Sequence, residues 1–171
     1  MPRLRYSVAA SLDGYIAGPN GEYDWIVQDP TFDFAALWAE FDTLLMGRVT
    51  FQVAITRFPN LDDMGKKVVV VSSTLTEYPG ATIVRDNIAE AVAALKAEPG
   101  KDIWLMGGGV LFRTLLDAGL VDTVELSVIP VLLGSGVPLL PEGRRALLHL
   151  EKSSALPSGI VRLVYSVLPA A

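Results

Sequence analysis

Three short segments hold the residues of this chain best suited to chemistry. They run from Leu44 to Phe51, from Val68 to Ser73 and from Ile103 to Gly109. Each is an apolar, strand-like run that ends in small, hydroxyl or glycine residues. That arrangement puts backbone amides and a few polar groups at a strand end, where a phosphate can sit. In the first, Arg48 and Thr50 follow Gly47, so a guanidinium and a hydroxyl can converge on one phosphate. The second ends in Ser72 and Ser73. In the third, Gly107, Gly108 and Gly109 let the backbone approach a pyrophosphate while the following helix presents its free amides. Singly, each has an ordinary reading as a solvated arginine, a serine turn or a tight strand-to-helix turn. In series they predict donors along one edge of one sheet and a crevice for a phosphate-rich nucleotide. The glycines do not form the GxGxxG fingerprint, and no acidic residue stands about twenty positions on at a strand end, which disfavours a Rossmann dinucleotide fold.

Other groups are few. The chain has no cysteine and one histidine, His149. Disulfides, thiolate zinc sites and cysteine nucleophiles are excluded, and a histidine-rich metal site or a Ser-His-Asp triad is disfavoured, so no metal is expected. His149 lies between leucines and reads as structural or surface. Chemistry falls to a cofactor or to carboxylates. Asp13, between Ser11 and Gly14 on the loop after the first strand, is the carboxylate most readily placed near a ligand, although Asp-Gly also marks turns. Tyr15 on the same loop is a candidate for ring contact or proton donation. Trp25 and Trp38 offer an aromatic wall, with Trp38 also fitting a helix core face.

These residues need a scaffold, and the pattern supplies one. The 171 residues are 51% hydrophobic, enough for one well-packed domain spanning 1–171. Net charge is −5 with no basic run, which argues against nucleic-acid or anionic-membrane partners. The N-terminal segment does not read as a signal peptide and no run approaches a membrane span, so a cytoplasmic address is expected. Leu4 to Ala10 reads as a buried first strand followed by a long loop through Gly21. Phe34, Leu37, Trp38 and Phe41 fall on one helical face. A helix starts near Arg48, and Lys67 to Val71 forms the next strand. Asn87 and Glu90 read as an N-cap and capping-box partner for a helix whose inner face is Ile88, Ala91, Val92 and Leu95. Ile103 to Met106 is another strand, and Val110 to Ala118 a helix buried through Leu111, Phe112, Leu115 and Leu116. Alternating strands and helices predict an α/β fold with a mostly parallel sheet covered on both faces. Thr123 to Val131 and Ile160 to Leu168 are expected as antiparallel edge strands joined by a long irregular connection. The apolar stretch from Ile129 to Leu140 would stay exposed in a monomer, which predicts a homodimer.

The segments Met46 to Phe51, Val70 to Ser73 and Met106 to Gly109 resemble the three cofactor-binding segments of dihydrofolate reductases, in order and in spacing. Ala10 to Gly14, Gly119 to Asp122 and Ile129 to Gly136 extend the likeness to the reductase domain of the bifunctional riboflavin-biosynthesis deaminase-reductase, across nearly the whole chain. The resemblance implies a dihydrofolate reductase-like three-layer fold and an NADPH-dependent reductase acting on a C=N or C=O bond of a small heterocyclic substrate. It implies that Arg48, Thr50, Ser72 and Ser73 meet the adenosine-side phosphates, including the 2′-phosphate. Gly107, Gly108 and Gly109, with the amides of Val110 and Leu111 and beside Gly47, would cradle the pyrophosphate. The loop from Ala10 to Gly18, Ile16 included, would lie against the nicotinamide, with water or Asp13 assisting protonation. Departures fall on the substrate side. Asp29 and Asp33 are the nearest candidates for the carboxylate that dihydrofolate reductases place on the first helix, and Gly107 stands where the riboflavin-pathway reductases carry an acidic residue. A nucleotide- or flavin-binding module without catalysis and a non-catalytic dimeric scaffold are the rival readings.

Overall fold

The computed structural model describes residues 1–169. Ten strands and four α-helices follow in the order β1 (Leu4–Ser11), β2 (Tyr15–Ala17), α1 (Phe34–Ala39), β3 (Phe41–Gly47), α2 (Arg48–Arg57), β4 (Lys67–Val71), β5 (Ala81–Val84), α3 (Ile88–Ala97), β6 (Asp102–Gly107), α4 (Gly109–Asp117), β7 (Thr123–Ile129), β8 (Val137–Pro138), β9 (Leu148–Ala155) and β10 (Val161–Val167). Eight strands form one sheet in the order β5-β4-β3-β6-β1-β7-β10-β9, and β2 and β8 make a separate ribbon. The six strands from β5 to β7 are mutually parallel. β10 runs antiparallel to β7, and β9 antiparallel to β10.

Side-chain alternation splits the core into two layers. On one face Leu4, Tyr6, Leu45, Val69, Ile103 and Leu105 pack against α3 and α4. On the other, Leu44, Met46, Val68, Val70 and Trp104 pack against α1 and α2. The central strands are apolar on both faces because both are covered. The chain leaves β3 through α2 toward β4 and leaves β6 through α4 toward β7. Connections therefore diverge between the adjacent strands β3 and β6, and such a divergence opens a crevice outside the carboxyl ends of the strands. No helix among the described residues is long and apolar enough to cross a membrane.

Several local expectations change. The first helix stops at Ala39, and Phe41 opens β3. Asn87 adopts a left-handed conformation (φ 50°) and its side chain makes no capping bond, so the capping box does not form. β5 is an additional strand. The stretch expected to be irregular between residues 131 and 160 contains β8 and β9, and β9 rather than β10 forms the outer edge. β7, expected as an antiparallel edge strand, lies inside the sheet and parallel to β1, with β10 and β9 beyond it. Nearly every β9 residue is exposed, so it lacks the apolar alternation by which strands are recognised.

One polar cluster lies within the α1 side of the sheet. Arg5 is 6% exposed and Glu125 4% exposed, and the guanidinium meets the carboxylate through two hydrogen bonds of 2.6 and 3.0 Å. Arg5 also pairs with Glu40 and Asp102 and lies over the Phe41 ring. Replacing Arg5 alone leaves Glu125 buried without its partner, a loss of about 3–5 kcal/mol. Denaturant unfolding of Arg5→Met is expected to show that loss, and the double variant Arg5→Met/Glu125→Leu to recover most of it.

Candidate functional site

All the segments singled out above arrive at the carboxyl edge of the parallel strands. β1 delivers Ser11 and Asp13, β3 delivers Gly47 and Arg48, β4 delivers Ser72 and Ser73, and β6 delivers the three glycines. At the centre the turns after β3 and β6 abut. A methyl group on Gly47 would rest 3.6 Å from the Gly108 nitrogen, and one on Gly107 would lie 3.5 Å from the Thr50 hydroxyl. Gly107 has φ +123°, which disfavours any L side chain, and the Gly107–Gly108 peptide is cis. A side chain at Gly109 would come within 2.8 Å of the Pro138 carbonyl oxygen, so only glycine lets the 138–141 segment back the start of α4. The N-termini of α2 and α4, whose first amides have no intrahelical acceptor, thus begin side by side at the divergence of the sheet. This glycine-lined cradle with converging donors fits a pyrophosphate.

Arg48 is exposed and, among the described residues, bonded only to Gln52, at 3.1 Å, leaving most of its donors available. Thr50 is half-buried beside the glycines. Ser73 is exposed, whereas Ser72 departs from its expected role: its buried hydroxyl accepts from the Thr74 and Leu75 amides at 3.2 and 2.9 Å and builds the turn itself. A residue missed in the sequence joins here. Arg85, just past β5, donates to the Ser73 carbonyl at 3.0 Å, so two arginines flank this turn. A lone exposed arginine in a turn carries no signal until strand pairing places it. Of the α4 residues, Val110 is exposed and the Leu111 side chain is buried, leaving only the Leu111 amide for a ligand.

The loop after β1 is held by Asp13. Its carboxylate accepts from the Ser11 hydroxyl at 2.7 Å and from the Leu133 and Gly134 amides at 3.0 and 2.7 Å. These bonds lower its pKa to about 2. Asp13 is therefore ionised at neutral pH, and its carboxylate ties two loops together. Tyr15, in β2, donates its amide to Ser11 Oγ at 2.9 Å, while its hydroxyl makes no hydrogen bond among the described residues. Ala10 is buried, Ile16 half-buried, and Leu139 donates its amide to the Gly14 carbonyl, closing the ribbon over the sheet edge.

The α1 side carries an aromatic wall. Phe34 lies 6.1 Å from Trp38 and 6.0 Å from Trp104, ring centre to ring centre, and remains 54% exposed. Trp38 meets Trp104 edge-on, and the Trp104 indole donates to the Ser7 carbonyl at 2.8 Å. Trp25 donates to the Glu22 carbonyl in its own loop. Neither acidic candidate is free: Asp33 caps α1 through the Ala36 amide, and Asp29 accepts from Ser158 and Thr31. Bonds from those two residues hold the Asp29 carboxyl well below the ordinary carboxylate range.

Sheet order, helix layers and the glycine-lined edge define a dihydrofolate reductase-like fold. The family model described as the RibD C-terminal domain matches residues 2–162, and the chain belongs to that family. It is 38% identical to the uncharacterized protein YyaP of Bacillus subtilis (strain 168), over 95% of this chain and 94% of the relative. Among solved structures, a protein of Shewanella sp. PV-4 described as a candidate riboflavin biosynthesis protein superposes with TM-score 0.84 at 30% identity, covering 99% of this chain and 100% of its own. Dihydrofolate reductase from Enterococcus faecalis, complexed with NADP(H), shares the fold at TM-score 0.70 and 20% identity, over 98% and 97% of the two chains.

Because hydrogen bonding depresses the Asp13 pKa, the loop tie is at full strength above the ordinary aspartate range near pH 4 and is lost as pH falls through about 2. NMR titration is expected to show the Leu133 and Gly134 amides shifting together near pH 2, and Asp13→Ala to accelerate their hydrogen exchange at pH 7.

Proposed function

We propose that this protein is an NADPH-dependent reductase that passes hydride to a C=N or C=O bond of a small heterocyclic substrate. The observation that carries the reading is the meeting of the α2 and α4 N-termini across a contact lined by glycine, at the divergence of the sheet. Family membership and the NADP(H) complex of a protein with this fold support the same cofactor. Gly107, Gly108 and Gly109 with the amides of Val110 and Leu111 hold the pyrophosphate. Arg48, Thr50 and Ser73, now with Arg85, meet the adenosine-side phosphates. Ala10 and Ile16 lie against the nicotinamide, which supplies the hydride when bound. For that transfer the protein contributes orientation and exclusion of water more than reactive groups. With Asp13 ionised, the proton comes from water or from the Tyr15 hydroxyl.

A guanidinium reading the 2′-phosphate makes a charge-assisted bond worth about 1.5–3 kcal/mol, roughly ten- to hundredfold in affinity. Calorimetric titration is expected to show the wild type preferring NADPH over NADH, and Arg48→Ala losing at least tenfold in NADPH affinity with NADH little changed. Absence of nucleotide binding overturns the reductase reading, and equal losses for both cofactors overturn the assignment of Arg48.

We also infer a homodimer, through a surface that includes part of the expected one. Ile129 is buried, while Leu132, Val137 and Leu140 of the 129–140 segment are exposed. Further exposed leucines gather at Leu147, Leu148 and Leu150, beside an apolar groove of about 400 Å³ on the α4 side of β10 that Leu140 also lines. A second copy placed by a two-fold axis sets this patch on itself. Sedimentation equilibrium at micromolar concentration is expected to give twice the chain mass, and Leu148→Glu/Leu150→Glu the single mass; a monomeric wild type overturns the inference.

A further inference from the structure

Arg162 is the one charged residue of β10, and the register of the sheet fixes which way it points. Arg5 grips Glu125 on the α1 side of the sheet, where Arg5 also lies over Phe41. Glu125 pairs with Val164, and two residues along, on the same face by alternation, Ser127 pairs with Arg162. Ser127 pairs in turn with Ala9 of β1. Arg162 therefore stands two strands from Ala9, about 10 Å at ordinary strand spacing, on the row that leads to the glycine edge. Between them the face carries only small side chains, and α1 lifts the exposed Phe34 ring above that side of the sheet.

The guanidinium of Arg162 has no hydrogen bond and no ion pair among the described residues. Its Cζ lies 4.3 Å from the centre of the Phe32 ring. A guanidinium over an aromatic face keeps its five N–H donors in its own plane. The acidic groups around it are engaged elsewhere. Glu125, from β7, accepts from Arg5 and from the Thr123 hydroxyl. Glu40, at the end of α1, pairs with Arg5, and Asp29, in the loop before α1, holds Thr31 and Ser158. Burial lowers the Arg162 pKa, opposed by the fields of Glu125 and Glu40 and reinforced by that of Arg5. A half-buried cation whose donors are unmatched, beside a floor of small residues and an exposed ring, is arranged to receive a charge.

We propose that Arg162 determines substrate specificity by binding an anionic oxygen group carried on the substrate's ring, at the end remote from the nicotinamide. The ring lies over Ala9 and Ser127 against the Phe34 side, and its carboxylate or equivalent oxyanion meets the guanidinium fork. The assignment of that ligand as a substrate rests on the reductase reading; the binding itself does not.

Two matched pairs of probes test it, titrated with and without NADPH. Orotate and uracil differ by a carboxylate on the ring, and UMP and uridine by a phosphate on the sugar. The wild type is expected to bind orotate at least tenfold tighter than uracil. Arg162→Met should abolish that ratio while leaving uracil and NADPH affinities within twofold, and Arg162→Lys should retain part of it. An orotate to uracil ratio near one, no binding of orotate, or a preference that survives in Arg162→Met overturns the proposal. A UMP to uridine ratio that depends on Arg162 while the orotate to uracil ratio does not also overturns it, because the anion then sits on the sugar. The wild-type ratio holds as a test even if Arg162→Met fails to fold. Failure of the wild type to bind NADPH, with the orotate preference intact, sinks the reductase reading alone.

Discussion

The architecture turns on the contact between the β3–α2 and β6–α4 turns. Two parallel strands are hydrogen-bonded neighbours while their connections depart to opposite faces, so two helix N-termini must begin within a few ångströms of each other. Glycine is required here at two positions: Gly107 has a positive φ that L side chains rarely adopt, and a side chain at Gly109 would run into the Pro138 carbonyl, whereas a methyl group on Gly47 would rest in ordinary contact with the Gly108 backbone. The result concentrates partial positive charge at one point of the edge without using a single lysine. An acidic chain can meet a polyanion in this way.

The carboxylates work in the opposite sense, as anchors. Asp13 joins the loop after β1 to the segment after β7, and Asp29 joins the loop before α1 to the turn between β9 and β10. Both accept backbone amides, which favours the ionised form and fixes loops that have few buried apolar side chains. The segments covering the site are thus positioned by polar ties, while the strands below are positioned by the two apolar layers. The buried Arg5–Glu125 pair lies between these regimes, joining β1 to β7 on the face where the aromatic wall stands.

What could be read from the sequence follows from where the signal resides. The glycine run and α4 were legible because Leu111, Phe112, Leu115 and Leu116 recur at helical spacing directly after a buried strand, and all four are buried. The parallel strands were legible because both faces are covered, so β4 is an unbroken run of valines after Lys67. β9 was not, since an exposed edge strand has no apolar pattern. Asn87 misled because its type suits a cap, while in its left-handed conformation the side chain makes no capping bond. Asp13 was located correctly, but its role depends on amides 120 residues away, which no local pattern encodes. Arg85 and Arg162 were missed for the same reason: each is one arginine in an unremarkable context until strand pairing sets its neighbours.

We propose that the nucleotide sits on the glycine-lined edge between β3 and β6. Amide chemical-shift mapping during titration with NADPH tests it most directly. Shifts concentrated at Arg48, Thr50, Ser73, Gly108 and Val110 are the predicted result. Shifts confined to the apolar groove on the α4 side of β10, around Phe112, Leu139 and Tyr165, would contradict it and move the site to the other face of the sheet.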